Sequence, residues 1–281
     1  MAAFNASHYS TICCIWNSNN DYCLVVSVIH VISFSGGMGS FAEAEACVSK
    51  YGKENVVTLF ADTLIEDKDL YRFMKECSAF LGCQHITIAE GRTPFQVFED
   101  VKFMGNSRID PCSRILKRDY LDKFITRHWN FDEVEIHLGI DITEEHRLTR
   151  LQPRKLPYIY RSTLVEDGRM ILKDYSKQHG ITPPRLYSFG LGHNNCGGFC
   201  PKAGMGHYAK LLAGDRDQYL EHEAKEQAVY AAVPNAKPFL RETIDGELTY
   251  KSLKDFRLSI ENGKQLTLDE LLDFGGCGCA I

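Results

Sequence analysis

The sequence lacks the segments that mark secreted and membrane-spanning proteins. Residues 1–49 contain no Lys or Arg, so the positively charged start of a signal peptide is missing. The longest apolar run in that region, Cys23–Ile32, is far too short to cross a bilayer and contains Ser27 and His30. We therefore expect a cytoplasmic protein without a membrane partner.

A strong compositional bias is absent as well. The chain has 281 residues, a net charge of −5, 44% hydrophobic residues and 25% charged residues. These values exclude a disordered tail, a collagen and a multi-span membrane protein. The acidic balance gives no general attraction for nucleic acid, although it allows a local basic patch. No internal repeat or low-complexity tract occurs, and the length predicts one large domain or two small ones.

Cysteine is the residue type that the sequence has in excess. The chain has 11 cysteines, an odd number, so they cannot all pair with one another. In a reducing cytosol, clustered cysteines indicate metal binding or catalysis more often than disulfides. Six others are predicted to be small buried or incidental residues: Cys13, Cys14, Cys23, Cys47, Cys77 and Cys83.

Alternating strand and helix patterns follow one another in the first half of the chain. The predicted elements are strand Leu24–Phe34, helix Phe41–Tyr51, strand Asn55–Ala61, helix Lys68–Leu81 and strand His85–Ala89. This β-α-β-α-β order predicts an α/β fold: a doubly wound, mostly parallel, Rossmann-like sheet with helices on both faces.

The second half is less regular. It contains predicted helices at Arg114–Arg127, Ile171–His179 and Lys210–Ala232, and a strand at Glu133–Gly139. We divide the chain into a flexible extension (residues 1–22), an α/β core (residues 23–150) and a cysteine-containing C-terminal elaboration (residues 151–281). The elaboration is expected to be continuous with the core.

A Gly-rich segment, SFSGGMGS, follows the first predicted strand and precedes a helix. Glycines let the backbone approach a ligand, and the N–H groups of a helix N-terminus bind anions. Serine hydroxyls add further donors. The segment therefore predicts a phosphate site, the alternative being a tight strand-to-helix turn. Its candidate residues are Ser33, Ser35, Gly36, Gly37, Gly39 and Ser40.

Carboxylates follow two predicted strands and are candidates for catalysis. Asp62 and Thr63 end the second strand, where they can contact a ligand; the alternative is a helix cap, since Glu66 sits three residues beyond Thr63. Asp141 and Glu145 follow a later strand and are the other candidates for a general base.

Basic residues form a local cluster in this acidic chain. Arg114 and Lys117, with Arg108 and Arg118 nearby, are predicted to contact phosphate from one face of a helix. A solvated helix face is the alternative. Arg147 is expected to pair with one of the carboxylates at positions 141 and 145.

Cysteines near the C-terminus have the close spacing of metal ligands. Cys196 and Cys200 form one pair and Cys277 and Cys279 another, each with neighbouring glycines that let the backbone wrap an ion. Four thiolates suit structural zinc and also an iron–sulfur cluster. Cys112 and His193 are alternative ligands, and free thiols are the alternative to any metal.

Five segments, taken in order, resemble the adenine nucleotide alpha-hydrolase-like (PP-loop) superfamily, and in particular its phosphoadenosine phosphosulfate (PAPS) reductase-like branch. SFSGGMGS is similar to the superfamily signature SGG-x-D-S. The other similar segments are Leu59–Phe73, Cys112–Lys117, Leu138–Asp141 with Glu144, Glu145 and Arg147, and HNNCGGFC (193–200) with the terminal CGC (277–279). HNNCGGFC and the terminal CGC resemble segments of bacterial and phage proteins of the reductase-like type.

Two positions depart from that signature. Gly39 stands where the signature has Asp, and Met38 stands where Lys is common. The resemblance implies that this Asp handles the pyrophosphate and its metal, so we do not expect ATP cleavage. The chain also lacks the C-terminal catalytic cysteine segment of true PAPS reductases, which argues against reduction of sulfonucleotides.

These features predict an enzyme whose PAPS reductase-like pocket acts on a nucleotide or a nucleic acid, such as DNA. The resemblance implies nucleic-acid modification or anti-phage defence. N-glycosidic hydrolysis of a modified DNA base, a DNA glycosylase activity, needs the base in a pocket and little beyond a carboxylate. Alternatives are an ATP pyrophosphatase, a sulfurtransferase or reductase-type enzyme, and a non-catalytic nucleotide-binding subunit. The oligomeric state is left open.

Overall fold

The computed structural model of the chain describes residues 28–151, 158–244 and 247–275. Its centre is a five-stranded sheet in which all neighbouring strands are parallel. The strands are β1 (Ile29–Ser33), β2 (Val56–Asp62), β3 (Gln84–Ala89), β4 (Val134–Leu138) and β5 (Ile159–Arg161). Their spatial order is β3–β2–β1–β4–β5. Strand addition changes direction between β1 and β4, and open α/β sheets bind ligands beside such a point, at the carboxyl ends of the strands.

Helices connect the strands and form the C-terminal part. They are α1 (Met38–Tyr51), α2 (Lys68–Leu81), α3 (Pro94–Val101), α4 (Pro111–Ser113), α5 (Asp119–His128), α6 (Glu145–Thr149), α7 (Thr163–Glu166), α8 (Met205–Gly214), α9 (Arg216–Ala232), α10 (Leu253–Glu261) and α11 (Leu268–Leu272). A π-helical turn, Arg114–Arg118, joins α4 to α5. An antiparallel hairpin of β6 (Leu240–Ile244) and β7 (Glu247–Lys251) precedes α10.

The sequence explains the bounds of α2 well. The carboxylate of Asp67 caps its first turn by accepting a hydrogen bond from the Asp69 N–H at 2.9 Å. Gly82 ends the helix in the left-handed conformation, with φ 61°. Apolar residues at helical spacing, such as Leu70, Phe73 and Cys77, are fully buried. The predicted helix Lys68–Leu81 is confirmed.

Each face of the sheet has its own core. Ile32 and Phe60 pack with α1 and α2 on one face. Val31 and Ile136 pack with α5 on the other. A third cluster unites α3 with the helices beyond residue 200. The predicted class, a parallel α/β sheet covered on both faces, is confirmed.

One predicted helix in the second half is wrong and another is divided in two. Of Ile171–His179 only a 3₁₀ segment, Tyr175–His179, is helical. Lys210–Ala232 divides into α8 and α9 at Asp215, whose side chain caps α9 by accepting from the Gln218 N–H at 3.0 Å. The division near residue 150 stays a prediction, although β5 lies beyond it in the chain. The predicted flexible extension, residues 1–22, lies outside the described residues.

No helix in the described part of the chain is long and apolar enough to cross a membrane.

Candidate functional site

The Gly-rich segment forms the turn from the end of β1 into α1, at the carboxyl edge of the sheet. Gly36 has φ 74°, a conformation that favours glycine. Gly37 is the residue before the first turn of α1, so the helix N-terminus opens at this point. Ser40 closes the turn, because its hydroxyl donates to the Gly37 carbonyl at 2.9 Å. The predicted strand–turn–helix geometry of the phosphate loop is present.

Three polar side-chain atoms converge on Gly37. A methyl group added at Gly37 would lie 3.2 Å from the Tyr187 hydroxyl, 3.5 Å from Ser35 Oγ and 3.7 Å from Asn194 Oδ1. The Met38 N–H donates to the Tyr187 hydroxyl at 3.3 Å. We call this arrangement the Gly37 cradle. It consists of Ser35, Gly37, Met38, Tyr187 and Asn194, and its two hydroxyls, those of Ser35 and Tyr187, can donate to an anion at the helix N-terminus.

Asn194 is the residue of the cradle that links it to the HNNCGGFC segment. It is only 1% exposed, and its Nδ2 donates to the Gly36 carbonyl at 3.0 Å. Its Oδ1 is buried and has no hydrogen-bond partner among the described residues. Buried polar atoms without partners are uncommon in native proteins. This acceptor beside Gly37 therefore suits a donor group of a ligand.

Met38 contributes only its backbone N–H to this cradle, and a side chain at position 39 would point away from it. The Met38 side chain is buried in the apolar core beneath α1. Gly39 packs against the end of β4, where an added methyl group would lie 2.5 Å from the Gly139 carbonyl oxygen. Glycine at position 39 therefore permits the close approach of two backbones, and a longer side chain there would be directed at Gly139.

Lys117 lies at the same edge of the sheet. It shares a cavity of about 20 Å³ with Ser33 and Ser35. Its ammonium also lies 3.5 Å from the carboxylate of Glu66, and both side chains are buried. Burial raises the pKa of Glu66, and the nearby Lys117 charge only partly offsets this effect. Lys117 therefore places a cation beside the phosphate loop.

Glu66 joins Lys117 to the two predicted ligand residues Thr63 and Cys196. The Thr63 hydroxyl donates to Glu66 at 2.9 Å, and the Cys196 N–H donates to the other carboxylate oxygen. The Thr63 hydroxyl is thus used within the protein, but the helix-cap alternative is wrong, because α2 begins at Lys68 and Asp67 caps it. Sequence reasoning used Glu66 only as a helix-cap partner and missed its contact with Lys117.

Arg114 does not share the environment of Lys117. Both belong to the π-helical turn, yet Arg114 is exposed while Lys117 is buried. The wider turn of a π-helix changes which side chains align. The predicted common basic face is therefore wrong. Arg118 instead donates to both carboxylate oxygens of Asp110, at 2.8 and 3.1 Å.

Asp62 stands at the end of β2, three residues beyond Leu59, which pairs with the last residue of β1. It therefore projects roughly 10 Å past the start of the phosphate loop. One of its oxygens accepts the Leu64 N–H at 2.7 Å, and the Tyr71 hydroxyl donates to its two oxygens at 2.9 and 3.0 Å. Asp62 remains accessible at the edge of the sheet, with a phenol as its partner.

Asp141 and Glu145 have different surroundings from Asp62. Asp141 accepts hydrogen bonds from the Thr143 N–H and hydroxyl at 2.9 and 2.5 Å, and from the Ile171 N–H at 2.8 Å. Burial opposes its ionisation, but these bonds outweigh burial and lower the pKa of Asp141. Glu145 is exposed in the short helix α6. Arg147 pairs with Glu144 at 2.6 Å rather than with either predicted partner.

Four of the predicted metal ligands line one small cavity. Cys112, Cys196, Cys200 and His193 surround a volume of about 20 Å³, together with Lys117. Cys277 and Cys279 lie outside the described residues. Within the described part of the chain, the sets of three ligand atoms that lie within 4.8 Å of one another do not include these four residues. The structure thus brings the first cysteine pair to the edge of the phosphate site and leaves the complete ligand set a prediction.

Two buried histidines fix the loop that carries Cys196 and Cys200. Cys196, Gly197 and Gly198 have φ values of 54°, 60° and 86°. The Nε2–H of His222 donates to the Gly197 carbonyl at 2.8 Å, and the Nε2–H of His207 donates to the Gly198 carbonyl at 2.7 Å. Burial lowers the pKa of His222 to about 4 and that of His207 to about 3. Both imidazoles are therefore neutral, and no local sequence pattern indicates this role.

A wide groove lies beside the cradle and shares Tyr187 with it. Its volume is about 750 Å³, within the range of small-molecule sites. Charged side chains of both signs line it: Asp69, Arg72, Glu76, Lys173, Asp174, Lys177 and Arg185. Asp69 accepts two hydrogen bonds from Arg72, at 2.6 and 3.0 Å. The cavity at Lys117 holds about one water molecule, so this groove is the space near the cradle that admits a nucleoside.

Comparison with known proteins identifies no family for the chain. No family model matches the chain. No curated protein matches it either. Among solved structures, the chain is similar to an NH3-dependent NAD synthetase from Campylobacter jejuni in complex with the nitrate ion, with 12% identity and a TM-score of 0.35. The alignment covers 73% of this chain and 84% of the synthetase chain. A likeness this weak defines neither the family nor the function of this chain.

Proposed function

We propose that the chain is an enzyme that binds a phosphate of a nucleotide or nucleic-acid unit in the Gly37 cradle. The observation that carries this proposal is the convergence of the Ser35 and Tyr187 hydroxyls on Gly37 at the N-terminus of α1. Asn194 Oδ1 is an acceptor beside them and suits a hydroxyl or N–H group of the same ligand. Backbone N–H groups and hydroxyls supply donors, and the helix dipole favours negative charge. The resemblance of SFSGGMGS to the PP-loop signature supports the same assignment.

The proposed substrate extends from the cradle into the groove beyond Tyr187. The lining of the groove does not include Asp62, so we propose that the sugar attached to the phosphate at Gly37 lies towards the end of β2 and that the rest of the substrate extends along the groove. Lys173 and Lys177 are exposed on its rim, where they can meet further phosphates of a DNA or RNA strand. Lys117, held in place by Glu66, supplies a positive charge on the other side of the loop.

The proposed chemistry uses Asp62. Asp62 and Asp141 both accept hydrogen bonds within the chain, but those of Asp141 lower its pKa and make it a weaker base, and Glu145 lies exposed in α6. Asp62 projects from the ligand-binding edge of the sheet, and a carboxylate there can activate water and stabilise a positively charged sugar. We propose N-glycosidic hydrolysis of a modified base, in nucleic-acid modification or anti-phage defence, without cleavage of ATP.

The test is product analysis with defined nucleotides and with DNA carrying modified bases. The proposal expects a released base that disappears in Asp62→Asn and persists in Glu145→Gln. Substrate affinity should change little in either variant. A sensor without catalysis would release no base, and its Asp62→Asn variant would mainly lose affinity. Base release that is unchanged in Asp62→Asn would contradict the role of this carboxylate.

We also propose that Cys196 and Cys200, with Cys277 and Cys279, hold zinc or an iron–sulfur cluster. The shared cavity with Cys112 and His193, and the backbone held open at Gly197 and Gly198, support this assignment. Such a group would act as a structural clamp on the loop that carries Asn194. Metal analysis of aerobic and anaerobic preparations tests it. A metal-free preparation with an unchanged melting temperature would refute it.

A further inference from the structure

A compact polar cluster lies buried between α1 and the sheet, on the far side of α1 from solvent. Glu43 and Cys47 are one helical turn apart on α1, His137 comes from β4, and Thr163 begins α7. All four side chains are fully buried. Strands that are buried on both faces are normally apolar throughout. β4 instead alternates, with Glu135 and His137 on the face covered by α1, and this departure calls for a reason.

The donor atoms of the cluster are close to one another. His137 Nδ1 lies 3.0 Å from Glu43 Oε1 and 3.2 Å from Cys47 Sγ, and these last two atoms are 3.4 Å apart. Thr163 Oγ1 lies 3.3 Å from Cys47 Sγ and 3.4 Å from His137 Nδ1. Tetrahedral zinc bonds of about 2.0–2.3 Å place donors roughly 3.3–3.6 Å apart. The four atoms need to move apart by only a few tenths of an ångström to coordinate one ion.

The surroundings orient each ligand. His137 Nε2, the nitrogen that points away from Cys47, lies 3.0 Å from His30 Nδ1, which is 3.5 Å from Glu135. Metal-bound histidines usually hydrogen-bond through their second nitrogen in this way. The Glu43 carboxylate is held by the backbone of α7: Oε1 accepts the Thr163 N–H at 2.7 Å, and Oε2 accepts the Leu164 N–H at 3.1 Å. A carboxylate oxygen has two lone pairs, so Oε1 keeps one for the cluster.

We propose that Glu43, Cys47, His137 and Thr163 form a buried zinc site. A thiolate and a carboxylate together balance the charge of a divalent ion. The thiolate favours zinc over magnesium or calcium, which prefer oxygen ligands. Binding releases the Cys47 thiol proton, and the His137 proton moves to Nε2. The ion would tie α1, which carries the phosphate loop at its start, to β4 and to α7.

Metal loading of the intact chain tests this site independently of turnover. Cobalt(II) bound by Cys47 gives a sulfur-to-cobalt charge-transfer band in the near ultraviolet. We expect this band and about one bound ion per chain in the double variant Cys196→Ser with Cys200→Ser, which lacks the first pair of the other cysteine site. Cys47→Ser, added to that variant, should remove both the band and the ion. Cys77→Ser, a buried thiol in the apolar core of α2, is the matched control and should change neither.

Absence of bound metal in the double variant, or a band that survives Cys47→Ser, overturns the proposal and leaves a hydrogen-bonded cluster. If a variant fails to fold, anomalous diffraction at the zinc edge from zinc-loaded crystals of the unmodified chain decides the question. An anomalous peak between Glu43, Cys47 and His137 supports the site. A fully loaded crystal with no peak there refutes it.

Discussion

A single methyl group at Gly37 tests the proposed phosphate cradle. Gly37 has φ −95°, so alanine fits its backbone without strain. Its methyl group would lie 3.2 Å from the Tyr187 hydroxyl and would fill the space where a phosphate oxygen is proposed to bind. We expect Gly37→Ala to lower affinity for inorganic phosphate or a nucleotide at least tenfold while the melting temperature falls by a few degrees at most. Calorimetric titration and thermal unfolding measure the two effects.

Gly192→Ala is the matched control for this change. An added methyl group at Gly192 meets no atom within 4 Å, and its backbone is not in the left-handed region. It should therefore keep both affinity and stability. Equal loss of affinity in the two variants, or none in Gly37→Ala, would show that phosphate binds elsewhere.

Restoring the typical PP-loop residues at positions 38 and 39 is expected to destabilise this chain. The double change Met38→Lys with Gly39→Asp would restore the residues typical of the PP-loop signature. In this chain, however, it would put an ammonium into the core beneath α1 and a side chain against the Gly139 carbonyl, 2.5 Å from the new Cβ. Overpacking of this kind costs about 1–3 kcal/mol, and burial of an unpaired charge adds to it. Thermal unfolding should show a marked loss of stability, with no gain in ATP cleavage. A double variant of normal stability that cleaves ATP would contradict this account.

The Gly-rich turn between β1 and α1 was predictable from the sequence, but the residues that pack against it were not. Ser35, Gly36 and Gly37 were found because glycines and serines between a strand and a helix have a local meaning. Tyr187 and Asn194 lie roughly 150 residues away in the chain, and only the folded structure brings them to Gly37. The Glu66–Lys117 pair was missed for the same reason.

At the scale of elements, the cysteine loop depends on the two histidines that hold its carbonyls. The neutral forms of His207 and His222 are the ones compatible with burial, and their folded pKa values, about 3 and about 4, lie below the ordinary value of 6.5. The folded state therefore binds fewer protons than the unfolded state at mildly acidic pH. The contribution of these two histidines to the free energy of unfolding is therefore fully present above pH 6.5. It falls as the pH drops towards 4, and the loss is roughly 2 kcal/mol per histidine at pH 5.

His222→Gln tests this dependence, because a glutamine amide can still donate to the Gly197 carbonyl but does not titrate. Denaturant unfolding at pH 5 and pH 7 should show a smaller difference in the variant than in the unmodified chain. His179→Gln, a change at a partly exposed histidine, is the control and should leave the difference unchanged. The same difference in all three chains would mean that other groups cause the acid sensitivity.

The proposed shared site of Cys196 and Cys279 makes a further prediction. If both thiols bind one ion, either single change to Ser removes it, and the second change has little left to remove. The stability loss of the double variant should then be close to that of each single variant, as measured by a double-mutant cycle. Additive losses would indicate two separate structural thiols.

Element prediction succeeded where the pattern was local and failed where long-range contacts decide the conformation. The helix Lys68–Leu81 has a capping residue, a regular apolar face and a terminal glycine. The segment Ile171–His179 has helical composition, yet the Asp141 carboxylate accepts its first N–H and only a 3₁₀ turn forms. The π-helical turn at Arg114–Arg118 has no sequence pattern that separates it from an α-helix.

For the whole molecule, alternation of strands and helices was enough to predict a parallel sheet covered on both faces. The order of the strands was not predictable, because it depends on which edge each crossover reaches. The third core, which joins α3 to α8, α9 and α10, was also missed. It assembles from apolar residues between Ile65 and Phe256 that share no local pattern.

The arrangement of the whole site also argues against ATP as a substrate. Splitting the bond between the α- and β-phosphates builds negative charge on the leaving pyrophosphate, which cations must stabilise. Here position 38 is buried in the core, Gly39 faces the backbone of β4, and Arg114 is exposed in solvent. Lys117 remains, but it is a single cation that also lies 3.5 Å from Glu66, so it compensates only partly for the missing charges. We therefore expect no AMP or pyrophosphate above background when the protein is incubated with ATP and Mg²⁺, with or without nucleotide and DNA substrates. Gly37→Ala, which closes the cradle, defines the background. Robust, substrate-dependent AMP formation by the unmodified chain, absent in Gly37→Ala, would show that the loop cleaves ATP despite glycine at position 39.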